Sequence, residues 1–190
     1  ILPNGIRLQV EATNHTDRAA AALAVSLAGL TQEDLSQGKV HLLEHLVARG
    51  PKGDLDQKLE EQGMSLTVTT SRDAMVFRIS CRPRQLSFAL ESLLTLFQPL
   101  NVSEAEIAKE VAIMEEEKAL RESHQVMARA AWKEVFKQEP TDPMGFPEPG
   151  KVTAQTLISL HQRLFTGRGA SLAIVGGAAA PTVFERAKSV

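Results

Sequence analysis

The stretch His41-Leu42-Leu43-Glu44-His45 constrains the fold more than any other part of this chain. Positions i and i+4 share a face on an α-helix, so the two imidazoles act together only if this segment is helical. Glu44, three residues after His41, then lies on nearly the same face. Two imidazoles at that spacing suit a zinc ion, and a carboxylate beside them suits a proton-carrying base. A zinc centre with an open position takes three protein ligands. The fold must therefore carry a further ligand to this helix from elsewhere in the sequence. The alternative is an amphipathic helix with two partly exposed histidines and a core face of Leu42, Leu43 and Leu46.

With 190 residues, 43% of them hydrophobic, the chain has material for one domain with a sizeable core. A net charge of −2 and the lack of a dense Lys/Arg patch argue against nucleic acid or a membrane as partner. No apolar run reaches the length of a membrane span. Cys81 is the single cysteine. No intrachain disulfide can form, and the expectation is a reducing, cytoplasmic compartment. Cys81 sits in an alternating apolar run and reads as a buried structural thiol. The chain opens without Met and closes at Val190 inside an expected helix, so it reads as part of a longer protein.

Ile6, Leu8 and Val10 alternate with polar residues after the Asn4-Gly5 turn, the pattern of a half-buried strand. Residues 20–28 read as a second, more buried strand. A loop through Thr31 and Gly38 leads to the histidine helix, which Gly50-Pro51-Lys52-Gly53 stops. Asp54 offers an N-cap for a short helix ending at Gly63. Met64, Leu66, Val68 and Thr70 alternate as a strand, Ser71-Arg72-Asp73 turns, and residues 75–81 return as a hairpin partner. Residues 83–97 have helical spacing. Ser103, with Glu106 three places on, forms a capping box for a long helix reaching about Lys137. Pro140, Pro143, Pro147 and Pro149 impose an extended loop. Residues 153–165 are again helical, residues 171–175 form a buried strand, and Pro181 opens a terminal helix. Adjacent strands joined by short turns imply antiparallel pairing with helices on one face, an α+β fold. His15, His124 and His161 read as surface residues, and Trp132 as a core or interface anchor.

The long helix supplies the candidates for the remaining ligand: Glu110, Glu115, Glu116 and Glu117. Acidic runs are usually solvated faces. Glu110 and Glu117, however, are two turns apart and share a face, while Glu115 and Glu116 point elsewhere.

The order H-x-x-E-H, the reverse of H-E-x-x-H, marks the inverzincin metallopeptidases. Across essentially its whole length the chain resembles the N-terminal zinc-binding domain of the pitrilysin family, which includes insulysin and mitochondrial processing peptidase. Leu2-Pro3-Asn4-Gly5 resembles the family's opening turn, and His41 to His45 its zinc helix. Thr70-Ser71-Arg72-Asp73 resembles its strand-ending turn, Asp142-Pro143-Met144-Gly145 its His-Pro-Leu-Gly loop, and Ala173-Ile174-Val175-Gly176 its late strand. Several features depart from it: Thr67-Val68-Thr69 stands where the family often has Asn-Ala-Tyr, Val47-Ala48-Arg49-Gly50 lacks the usual Phe, and the stretch from His45 to Gly63 is shorter than usual.

The resemblance implies an α+β domain, mainly antiparallel, spanning residues 1–190 as one half of a larger two-halved enzyme. It implies Zn2+ held by His41, His45 and Glu117, with Glu44 as general base and Glu110 orienting a ligand imidazole. Glu116 is the alternative ligand if the alignment slips by one residue. The implied activity is zinc-dependent hydrolysis of peptides. The implied partner is a second homologous domain or chain, bringing an Arg and a Tyr to the substrate carbonyl; this chain has no Tyr. The competing reading is a non-catalytic subunit or scaffold of the same fold, paired with an active chain.

Overall fold

The computed structural model describes residues 1–13, 17–136 and 144–176. Five strands form one sheet: β1 (Arg7–Ala12), β2 (Ala19–Ser26), β3 (Leu66–Thr70), β4 (Ala74–Cys81) and β5 (Ala170–Gly176). Among the described residues six α-helices accompany it: α1 (Gln32–Leu35), α2 (Lys39–Ala48), α3 (Leu55–Glu61), α4 (Leu86–Thr95), α5 (Glu104–Phe136) and α6 (Ala154–Leu164). No helix among the described residues is long and apolar enough to cross a membrane.

The spatial order is β1-β5-β2-β4-β3. Three of the four pairings are antiparallel, as the short turns imply. The fourth corrects the expectation. β1 and β2, consecutive in sequence, do not pair; β5 lies between them and runs parallel to β1. The physical reason lies in composition. β1 carries Arg7, Gln9 and Glu11 and leaves them exposed, as an edge strand can. β2 and β5 are apolar or small at nearly every position and suit the sheet interior.

Register aligns the core in rows. Leu23 lies between Phe77 and Leu172, Ala21 between Ile79 and Ile174, and Val25 between Met75 and Ala170. All nine are buried on one face of the sheet. Each of the larger side chains contributes about 1.5–3 kcal/mol by leaving water. Period-2 alternation in β4 sends Met75, Phe77, Ile79 and Cys81 to that face while Arg78 and Ser80 stay in solvent. Burial pushes the Cys81 thiol up, away from nucleophilic use.

The helix ends follow their sequence signals, with informative exceptions. The Ser103–Glu106 capping box forms at the start of α5. Thr31 and Asp34 form another, so the expected loop contains the one-turn helix α1. Its signature, T-x-x-D, has the same logic with a shorter acid. Asp54 stands at the N-cap of α3, but its carboxylate accepts from Lys58 Nζ at 2.9 Å and makes no capping bond.

His161 is a correction too. It is buried, not at the surface, stacked on Phe165 with ring centroids 4.5 Å apart and hydrogen-bonded through Nε2 to the Leu96 carbonyl at 2.9 Å. Its place in the stripe Leu157, Leu160, His161, Leu164 puts it on the buried face of α6. His15, Lys137, Pro140, Asp142, Pro143 and the helix expected from Pro181 lie outside the described residues, as do the side chains of His124 and Trp132.

Candidate metal centre

α2 packs between the sheet and α5, and this placement decides the site. A helix with one solvent face would expose its polar residues, yet α2 buries Lys39, His41 and Glu44 along with its leucines. His41 is 3% exposed and Glu44 9%. Ionisable groups at that depth need partners, and each has one. The alternative of two partly exposed histidines does not describe His41.

His41 Nδ1 lies 3.2 Å from the Gly145 carbonyl, and His45 Nδ1 lies 2.9 Å from Glu110 Oε1. Only an N–H can satisfy either acceptor, so each ring carries a proton on Nδ1. In the neutral tautomer each Nε2 is then a bare lone pair. The two Nε2 atoms face each other at 3.3 Å. Glu117 Oε2 completes the triangle, 3.3 Å from His45 Nε2 and 3.7 Å from His41 Nε2. Three electron-rich atoms aimed at one point repel unless a cation lies between them. Donors at about 2.0–2.2 Å from a tetrahedral ion stand about 3.3–3.6 Å apart. Two sides of the triangle, 3.3 Å each, fall in that range and the third, 3.7 Å, lies just beyond it; the donor set of two imidazoles and one carboxylate suits a divalent transition metal.

The electrostatics agree. Burial pulls the His45 ring down, but Glu110, Glu117 and Glu44 outweigh it and leave the ring above its ordinary 6.5. The carboxylates thus attract a positive charge to this point. A proton satisfies one donor atom, whereas a divalent ion satisfies three. Glu110 is pushed up by its own burial but pulled further down by the His45 hydrogen bond and the Arg49 charge.

Glu44 sits on the same helix face. Thr70 Oγ1, at the end of β3, donates to its Oε2. Glu110 is buried and Glu117 half-buried on the shared face of α5, while Glu115 and Glu116 are exposed. The seven-residue spacing therefore brings Glu117, not Glu116, to the two imidazoles.

Three contributors carried no functional signal in the sequence reading. Thr70 stands there only as a strand-end and turn residue, Gly145 only as part of a loop, and Arg49, whose guanidinium meets Glu110 Oε2, only as a departure from pattern. Gly38 shows how the Gly145 contact is enforced. It starts α2 with φ +60°, and a Cβ there would fall 2.4 Å from Phe146 C and Pro147 N and 2.7 Å from Gly145 O. The loop thus lies against a glycine at the helix start, and the Phe146 ring packs on His41 at 5.1 Å.

These features define an α+β domain with a His-His-Glu cluster and a neighbouring buried carboxylate. The sequence pattern of Insulinase (Peptidase family M16) matches residues 7–142. The chain is 29% identical over 129 residues to the mitochondrial-processing peptidase subunit beta of Mus musculus, covering 66% of this chain and 25% of that protein. Among solved structures it is similar to a protease from Helicobacter pylori, with TM-score 0.83 and 21% identity, covering 99% of this chain and 48% of that one. It is also similar to the first half of the periplasmic protease PqqL from Escherichia coli, with TM-score 0.86 and 19% identity, covering 99% and 44%. The chain belongs to the insulinase family, peptidase family M16. It spans about a quarter of the length of the curated relatives it matches and under half of these two solved chains.

Proposed function

We propose that this chain is the zinc-binding half of a metalloendopeptidase, with His41, His45 and Glu117 as ligands and Glu44 as general base. The observation that carries the reading is the triangle of three donor atoms, 3.3, 3.3 and 3.7 Å on its sides, beside a buried carboxylate. When bound there, zinc supplies Lewis acidity and lowers the pKa of a water to about 7.

The chain's own residues do the rest. Glu44 would take a proton from water and later return it to the leaving amine, with Thr70 Oγ1 donating to its Oε2 and holding the carboxylate in place. Glu110 and the Gly145 carbonyl hold the two rings in the tautomer that leaves both Nε2 atoms unprotonated. β3 ends the sheet order, so an extended peptide can pair with its outer edge. That edge leads to Thr70 and from there to Glu44, which favours extended peptides over folded proteins as substrates.

Residues 1–190 form one domain in this reading, and a second domain or chain of the same kind covers the site and supplies the Arg and Tyr for the scissile carbonyl. That one relative is a subunit beta and another the first half of a protease supports that arrangement. Elemental analysis tests the metal: one zinc per chain is expected, lost in His41→Ala. Glu44→Gln in the assembled protein should keep the metal and lose about 10²–10⁴-fold in peptide hydrolysis. Normal cleavage by that variant would overturn the assignment of the base.

A further inference from the structure

We propose that Arg49 is a positioning residue for the metal-binding geometry of His45, acting through Glu110. The proposal rests on the reading of His45 as a metal ligand. Arg49 is the C-cap of α2, one turn after His45. Its Nη2 meets Glu110 Oε2, while Oε1 of the same carboxylate holds His45 Nδ1 at 2.9 Å. The contacts run in one line: guanidinium, carboxylate, imidazole, donor nitrogen.

Each link has a physical requirement. Glu110 is 4% exposed, so bulk water cannot satisfy the oxygen that the imidazole leaves over. The terminal torsion of a glutamate is broad and roughly two-fold, so a single hydrogen bond leaves the carboxylate plane loosely set. The Arg49 guanidinium lies against the second oxygen as an ion pair, and its charge holds that oxygen on the α2 side and so limits how the carboxylate can turn. The carboxylate plane in turn sets the direction of Nδ1–H, and the ring is rigid. Nε2 on its far side is therefore aimed at the triangle with His41 and Glu117. Arg49 and His45 come from α2, and Glu110 and Glu117 from α5, so the same contact holds the two helices in the register that closes the triangle. A lysine at 49 would bring the charge without the planar guanidinium.

The test is Zn2+ affinity, measured by competition with a chromophoric chelator on the full protein. It compares wild type, Arg49→Met, Arg49→Lys, Glu110→Gln and the Arg49→Met/Glu110→Gln double variant, with thermal unfolding of each metal-free protein in parallel. Arg49→Met should bind zinc about 10–100-fold more weakly, with Arg49→Lys in between. The double variant should bind no more weakly than Glu110→Gln alone, because Arg49 acts only through Glu110. A merely structural Arg49 would lower the unfolding temperature equally in both backgrounds, and the affinity losses would multiply. Either that multiplication or wild-type affinity in Arg49→Met overturns the proposal. Arg49→Lys carries the same comparison should Arg49→Met fail to fold. A wild-type protein that takes up no zinc overturns the metal reading, and this inference with it. A wild type that binds zinc beside an indifferent Arg49→Met overturns this inference alone.

Discussion

Replacing Gly38 by alanine tests whether the start of α2 and the 145–147 loop act as one device. Gly38 has φ +60°, a region that costs an L-residue about 1–2 kcal/mol. The added Cβ would also meet Phe146 C and Pro147 N at 2.4 Å and Gly145 O at 2.7 Å. All three are backbone atoms, so no side chain can rotate away and the loop itself must shift. Overpacking of that kind costs about 1–3 kcal/mol. The sum is about 2–5 kcal/mol, and at about 3 kcal/mol a domain of this size loses roughly 6–12 °C of unfolding temperature. The loop shift has a second consequence. It moves the Gly145 carbonyl off His41 Nδ1, now 3.2 Å away, and a ligand imidazole without its outer partner loses about 10–100-fold in metal affinity. Gly53 is the internal control: φ +72° and nothing within 4 Å of its Cβ position. Gly53→Ala should show only the conformational cost and keep zinc affinity. Urea unfolding and zinc titration of both variants decide the matter. Gly38→Ala matching Gly53→Ala in both measurements would refute the reasoning.

Thr70→Val keeps the shape of the side chain and removes the donor to the buried Glu44 carboxylate, so it should cost about 1–3 kcal/mol in urea unfolding at neutral pH. Thr70→Ser should stay close to wild type, and a tolerant Thr70→Val would discount the contact. His161 is held below its ordinary 6.5 by burial, against the Leu96 hydrogen bond. The unfolded chain therefore takes up the proton first as pH falls. This contribution to stability is complete above pH 6.5 and shrinks below it, by at most about 1.4 kcal/mol per pH unit. Unfolding temperatures of wild type and His161→Gln at pH 7.5 and 5.5 should diverge in slope, and equal slopes would discard the account. Arg163 holds the Asp34 carboxyl down at about 2 and so ties α6 to α1. Its effect is present above the ordinary 3.8 and is lost as pH falls toward 2. Both groups meet solvent, so Arg163→Ala should cost only about 0–1 kcal/mol at pH 7.

Most of this site was legible because its signals are local. The i, i+4 histidines, the Ser103–Glu106 box and the seven-residue spacing of Glu110 and Glu117 each report the geometry of one helix, which the sequence carries without reference to the rest of the fold. The hairpin of β3 and β4 is local as well, since Ser71-Arg72-Asp73 joins strands that pair directly. What escaped depends on meetings between distant segments. Nothing near residue 10 reveals that a strand from residue 170 will lie beside it. Gly145 reaches His41 across 104 residues and Thr70 reaches Glu44 across 26, and neither residue type advertises a role. His161 was misread for a related reason. A histidine looks polar in a sequence, yet its place four residues after Leu157 and three before Leu164 is the better guide to burial. The division follows the physics of the centre. The atoms that face the ligand must be few and chemically distinctive, so they leave a motif. The atoms that aim them need only be an oxygen or a guanidinium at the right place. A backbone carbonyl, a threonine hydroxyl and an arginine guanidinium serve here, and only the fold identifies them.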